Sequence, residues 1–212
     1  MTDVLDQWHY FATPVYSNKK LEFLEDVRKA SNDALKNVRK ASKMDEVYPV
    51  IQANISSDER ALPFFEYVVN TAWNLLDGQG YAMEGLSTYF TEIWVQEHHK
   101  YSSMEYHQHN DSQLVAFYFL ECPENPPTLS IYDPRPTKNM VNIPEKDASA
   151  VTMASSQLNF VPEAGTLMFT NSWLAHSFSR NASIKPFKFV HMNIAVRPHV
   201  AEIEYPDTAE IV

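Results

Sequence analysis

Met104-Glu-Tyr-His107-Gln-His109-Asn-Asp111-Ser-Gln113-Leu-Val-Ala-Phe117-Tyr118-Phe-Leu120 has no helical period. It is rich in aromatic and β-branched residues, and the run Asn110-Asp111-Ser112 breaks it in the middle. Such a pattern predicts two strands, Met104–His109 and Gln113–Leu120, joined by a turn. Working outward, the same texture recurs in Glu92–Gln96, Thr128–Tyr132, Leu158–Val161, Thr166–Thr170, His176–Ser179 and Lys188–Val196. Many short strands without intervening helices form an antiparallel sandwich or barrel.

Before Thr91 the period is helical. Leu21, Leu24, Val27, Ala34, Leu35 and Val38 make one apolar stripe, which predicts a helix capped by Ser17 or Asn18 and running to about Ser42. Phe65, Val68, Val69, Ala72 and Leu76 make another, starting near Pro63 and stopped by Asp77-Gly78. Ser56 and Glu59 have capping-box spacing, but a start there would bury Pro63 inside the helix, so the proline sets the start. The expected architecture is α+β, mainly β, with two N-terminal helices buttressing one outer face of a barrel. One domain spans 1–212, with helical support over 1–90 and the barrel core over 91–200. Between Asp133 and Gln157 lies a polar, proline-containing stretch without period, the length of a lid or mobile loop.

Composition narrows the function. Hydrophobic residues at 44% and charged residues at 21% of 212 describe a globular chain with a sizeable core. Acidic residues outnumber basic ones 27 to 17, for a net charge of −10, which argues against nucleic acid and leaves room only for a local anion pocket. Cys122 is the one cysteine, so a disulfide framework and a thiolate cluster are excluded, which fits a reducing compartment. No apolar run of about 18 residues predicts a membrane span. Asp3 and Asp6 make the N-terminus unlike a secretory signal, and the expected location is cytoplasmic. Only four glycines, scattered, rule out a phosphate-cradling loop.

The chemistry begins with His107 and His109. Residues two apart on a strand point the same way, roughly 6.5–7 Å apart, close enough to converge on one ion. A bare His-x-His pair also suits an ordinary polar strand face, so the distant partner matters. His176 supplies it, following the turn Pro162-Glu-Ala-Gly165 and the apolar strand Thr166-Leu-Met-Phe169. If the first strand persists, Asp111 shares its face, so His109 and Asp111 form a second possible pair. Two imidazoles and a carboxylate with open positions is the facial set of oxygen-activating iron enzymes. His9, His98, His99 and His199 fall at segment edges and are expected to be solvated; Trp94, Tyr106, Tyr132 and Trp173 are expected to pack.

Several of these stretches together resemble the 2-oxoglutarate/Fe(II) oxygenase superfamily, in a branch of marine bacteria and cyanophages. Tyr10-Phe-Ala-Thr-Pro-Val-Tyr16 is similar to its opening segment, and Trp94 to the tryptophan before its first ligand strand. His107-Gln-His109-Asn-Asp-Ser112-Gln-Leu-Val-Ala-Phe-Tyr118-Phe119 resembles H-x-H-P-x-S-x-x-S-G-V-Y-Y. Leu129-Ser-Ile-Tyr-Asp133-Pro-Arg135 is similar to L-x-F-x-D-P-R. Pro162-Glu-Ala-Gly165 through Phe169, then Ser172-Trp-Leu-Ala-His176, resembles P-x-x-G-x-L-x-F-P-S-x-L-x-H. Departures are Val115-Ala116 for Ser-Gly, Thr170 for proline, and Phe187-Lys-Phe-Val-His191-Met-Asn193 where the branch has R-I-S-x-x-F-N.

What the resemblance implies is a double-stranded β-helix (jelly-roll or cupin-like) barrel holding Fe(II) through His107, His109 and His176. Asp111 is the alternative ligand, or an acceptor orienting an imidazole. The implied co-substrates are 2-oxoglutarate and O2, with ascorbate as a possible reductant, and the products are succinate, carbon dioxide and a hydroxylated peptide, prolyl or small-molecule substrate. With the arginine replaced by Phe187, candidates for 2-oxoglutarate are Lys188 first, then Tyr118, His191 and Arg135. The same residues also admit a three-histidine cupin-type dioxygenase or isomerase without 2-oxoglutarate, and a non-catalytic phage-associated binding barrel. Monomer and homodimer are both compatible with the pattern, as is a phage-encoded origin.

Overall fold

The computed structural model describes residues 5–6, 8, 11–42 and 50–199; His9 and the Tyr10 end of the opening motif lie outside them. In chain order the elements are β1 (Val15–Lys19), α1 (Leu24–Ser42), β2 (Val50–Asn54), α2 (Leu62–Gly78), β3 (Leu86–His98), β4 (Met104–His107), β5 (Leu114–Glu121), β6 (Leu129–Tyr132), β7 (Gln157–Phe160), β8 (Thr166–Asn171), β9 (His176–Phe178) and β10 (Phe187–Pro198). Two antiparallel sheets result. A six-stranded sheet runs β1-β8-β5-β10-β3-β2 and faces a four-stranded sheet, β4-β9-β6-β7. This is the expected double-stranded β-helix, with every sequence-predicted strand in place.

Strand parity splits the core in two. On β5, Leu114, Ala116, Tyr118 and Leu120 face the helices, where Val27, Leu35, Phe64, Val68 and Ala72 cover them. The alternate residues Val115, Phe117 and Phe119 enter the space between the sheets and meet Leu129, Phe178, Phe187 and Phe189. Period-two geometry dictates this separation. Both helices therefore buttress the six-stranded sheet from outside.

Two elements at the start differ from the sequence reading. Ser17 and Asn18 are not helix caps; they sit in β1, opposite Met168 and Leu167 of β8. A 3-10 turn over Leu21–Phe23 then leads into α1. Pairing with β8 satisfies backbone groups that a cap would leave to water. At α2, Pro63 does lie in the first turn, and the preceding 3-10 turn is capped by Asp58, which accepts from the Arg60 N–H at 3.0 Å, rather than by Ser56.

Gly165 ties the end of β1 to the start of β8. Its carbonyl accepts from the Lys20 N–H at 2.7 Å and its own N–H reaches Phe119 O at 2.8 Å. The backbone there has φ +80°, and a Cβ would stand 2.4 Å from Leu21 Cδ2. Gly165→Ala is expected to cost about 1–3 kcal/mol, visible as a lower urea midpoint with an unchanged slope.

Candidate metal centre

His107 ends β4 and His176 begins β9, and the two are register partners across the four-stranded sheet. Their ring centroids are 4.4 Å apart. His109 lies beyond the end of β4, where a short loop carries it back over the same opening. That loop is stitched to the chain before β9: the His109 N–H donates to Ser172 O at 3.1 Å, Gln108 Nε2 to Trp173 O at 2.9 Å and Ser172 Oγ to Ser112 O at 2.5 Å. The His109 ring is thereby laid parallel to His176, centroids 5.2 Å apart and planes 10° apart. One ligand atom from each histidine lies within 4.8 Å of the others.

Tautomers follow from the backbone. His107 Nδ1 is 2.7 Å from Glu105 O and His176 Nδ1 is 3.1 Å from Leu174 O. A carbonyl only accepts, so each Nδ1 carries the proton and each Nε2 presents a lone pair. His176 Nε2 and His109 Nε2 stand 3.4 Å apart. Burial, with His107 nearby, pushes His176 down to about 3 and His109 down to about 4, so neither holds a second proton near neutral pH. No carbonyl fixes the His109 tautomer, so its Nε2 either donates to His176 Nε2 or, with the proton on Nδ1, presents a further lone pair to a shared ion. Two imidazoles on adjacent positions of one ion, at about 2.1 Å each, would have nitrogens about 3.0–3.4 Å apart. The donor set fits a divalent transition metal, with carbonyl contacts that orient its imidazoles.

Asp111 is not part of this set. The strand stops at His107, and Asp111 turns away with φ +58°, exposed to solvent. Of the co-substrate candidates, only His191 comes near. Its ring is 4.7 Å from that of His109, stacked on Phe117 at 5.2 Å, edge-on to Trp94 at 4.4 Å, and its two nitrogens have no protein partner. Tyr118 lies on the opposite parity: its hydroxyl donates to Lys20 O at 2.5 Å and its ring meets Phe64 at 4.4 Å. Lys188 likewise faces α1, where Nζ meets Asn32 Oδ1 at 2.9 Å and Glu97 and Glu121 at 3.2 Å each. Arg135 sits on the rim, bound to Asp133 through Nε at 2.9 Å and Nη2 at 2.6 Å.

Sequence reasoning also misplaced His98. It is 1% exposed, stacked on Phe189 at 5.5 Å, with Nε2 3.1 Å from Gln96 Oε1. Burial, aided by His99, pushes it down to about 4. The unfolded chain binds this proton near pH 6.5 and the native chain does not. Native stability is therefore full above about pH 6.5 and falls as pH drops toward 4, by up to about 3 kcal/mol from His98. Urea titrations of the metal-free protein from pH 7.5 to 4.5 should show that decline, and His98→Phe should make it shallower.

A cavity of about 570 Å³ lies beside β6 and the turn before β9. Its inner wall includes Ile131, the register partner of His176, with Leu158, Leu174 and Val15; Asp133, Arg135 and the segment 151–157 form its outer side.

The family model described as "Putative 2OG-Fe(II) oxygenase" matches residues 92–186. The match includes all three histidines and stops one residue before Phe187. No curated protein matches the chain. Among solved structures, it is similar to a prolyl-4-hydroxylase from Pseudomonas putida, at 12% identity over 86% of this chain and 93% of that one, TM-score 0.54. AviO1 from Streptomyces viridochromogenes is similar at 13% identity over 86% and 90%, TM-score 0.56. The viral collagen prolyl hydroxylase of Paramecium bursaria Chlorella virus-1, solved as a 2OG complex, is similar at 12% identity over 86% and 96%, TM-score 0.52. At these identities the shared property is the jelly-roll fold. Residues 92–186 are thus similar to the 2OG-Fe(II) oxygenase family model, and the fold that carries them is the jelly roll of these solved structures.

Proposed function

We propose that this chain is an iron(II)- and 2-oxo-acid-dependent oxygenase, with His107, His109 and His176 holding the metal and 2-oxoglutarate as the co-substrate that the matching family model suggests. The observation that carries the reading is the convergence of one ligand nitrogen from each of three histidines within 4.8 Å of one another. When bound, the metal would supply Lewis acidity and one-electron chemistry toward O2. In the overall reaction a 2-oxo acid, O2 and R–H become carbon dioxide, the carboxylic acid one carbon shorter, and R–OH; with 2-oxoglutarate that acid is succinate.

The chain's own part is positional. Glu105 and Leu174 carbonyls fix two imidazoles, and the Ser172 and Trp173 carbonyls hold the loop of the third. Phe117, Trp94 and Phe189 exclude water behind the histidines. Three protein donors leave positions for the co-substrate and for O2. The cavity lined by Leu174 and by Ile131, the register partner of His176, suits a peptide side chain or a small molecule as the hydroxylated group, and the prolyl hydroxylases among the structurally similar proteins make prolyl peptides the first substrates to try.

Carbon dioxide release from a panel of 2-oxo acids, with Fe(II), ascorbate and air, tests this reading. Iron-dependent release that disappears in His109→Ala is expected. Tight iron binding without release from any 2-oxo acid would instead favour a three-histidine dioxygenase or isomerase. No iron binding would leave a non-catalytic barrel.

A further inference from the structure

A polar atom buried without a partner costs stability, and such atoms in a native core need a reason. Among the described residues, the inward face of the six-stranded sheet gathers several beside the metal-site histidines. His191 is fully buried, and neither of its ring nitrogens has a hydrogen-bond partner. Trp94, its register partner on β3, also leaves Nε1 buried and unpartnered. The two rings meet edge-on at 4.4 Å. The other orphans on this face, Thr170 Oγ1 and Asn193 Oδ1, flank Val115 one row along the sheet. The Asn193 amide nitrogen donates to Glu92 at 2.8 Å.

Three rings bound the His191 imidazole. Phe117 lies parallel to it at 5.2 Å, Trp94 meets it edge-on, and His109 is 4.7 Å away with planes 62° apart. A phenylalanine would fill such a box and leave no nitrogen unpaired, so packing alone does not account for an imidazole here. Burial and the neighbouring histidines keep the ring neutral, so it carries one N–H and one lone pair. It is not a fourth ligand, because the convergent nitrogens are those of His107, His109 and His176.

Resting on the 2-oxo-acid reading above, we propose that His191 positions the co-substrate, donating its ring N–H to the carboxylate beside the keto group, while Trp94 holds the imidazole edge-on. That carboxylate is common to every 2-oxo acid, so the contact serves the whole class and does not choose among tails. A neutral N–H supports the carboxylate without setting a second positive charge beside the metal.

The test is an anaerobic titration of the Fe(II)-loaded full-length protein with 2-oxoglutarate and with 2-oxobutyrate, read by the visible charge-transfer band that a chelated 2-oxo acid produces. His191→Phe is expected to weaken both acids alike, by about 10–100-fold, the range for losing a hydrogen bond to a charged group, and to move the band. Iron affinity, measured by calorimetry, should stay within roughly threefold. The urea midpoint of the metal-free His191→Phe protein should rise, because its buried unpaired nitrogens are gone. His191→Gln, which keeps an N–H, should recover part of the loss. Unchanged binding of both acids to folded His191→Phe would overturn the inference and leave the oxygenase reading standing. So would weakening confined to 2-oxoglutarate, which would put the ring at the second carboxylate instead. A loss of iron affinity as large as the loss of acid binding would make His191 a support for His109 and also overturn it. A band with neither acid in the unmodified protein, despite bound iron, would overturn the 2-oxo-acid reading and the inference with it.

Discussion

His176→Ala is expected to lower Fe(II) affinity by roughly 100-fold or more and to abolish iron-dependent turnover. Losing even an orienting contact to a metal ligand commonly costs 10–100-fold in affinity, and His176 is a donor itself. It is fully buried and central to the cluster, 4.4 Å from the His107 ring and 5.2 Å from that of His109. Its removal leaves two donors, one of them on a loop. The fold should tolerate the change, because burial keeps this imidazole neutral and its polar contacts are limited to Leu174 O at 3.1 Å and His109 Nε2 at 3.4 Å. Calorimetric titration with Fe(II) under argon measures the affinity, and circular dichroism controls for folding. An unchanged affinity would remove His176 from the site.

Glu97→Ala is expected to be among the most damaging substitutions away from the histidines, destabilising the protein by about 3–5 kcal/mol. The Glu97 side chain is 1% exposed and meets Arg39 of α1, His99 at 2.7 Å and Lys188 of β10 at 3.2 Å. Truncation leaves Lys188, only 12% exposed, with Glu121 at the edge of the sheet and Asn32. Because Arg39 is 39% exposed, water recovers part of its loss and the lower end of the range is expected. Urea denaturation at pH 7.5 reads the effect. Glu97→Gln, which keeps the volume and one acceptor, should lose less. Iron affinity should be nearly unchanged in both, because this cluster lies on the helix side of the six-stranded sheet.

That same cluster shows where sequence reasoning reached its limit. Period two located β3 through β10, and parity put Lys188 opposite His191. Which parity faced the barrel was not legible, because β5 and β10 are apolar on both faces: seven consecutive residues of β5 are buried. Strands covered on both sides lose the alternation that marks inside from outside. Tyr118 and Lys188 were therefore candidates for the metal side when they belong to the helix side. His98 was missed for the same reason, a polar residue at a strand end that the second layer covers. β1 was hidden by its polarity: Ser17, Asn18 and Lys19 are exposed on an edge strand and look like a helix cap.

The histidine triad was readable because its spacing is a chemical requirement rather than a packing preference. Even so, two details were not. His107 and His109 do not share one strand, since β4 ends at His107, and Asp111 leaves the face through a left-handed residue. The hydrogen bonds from 108–112 to 172–173 that restore convergence are long-range, and no local pattern announces them.

Iron K-edge absorption on the anaerobic Fe(II)-loaded protein tests the metal centre most directly. Three imidazoles at about 2.0–2.2 Å from one ion are expected, falling to two in His109→Ala. Iron without imidazole scattering, or an imidazole count that His109→Ala leaves unchanged, would contradict the site.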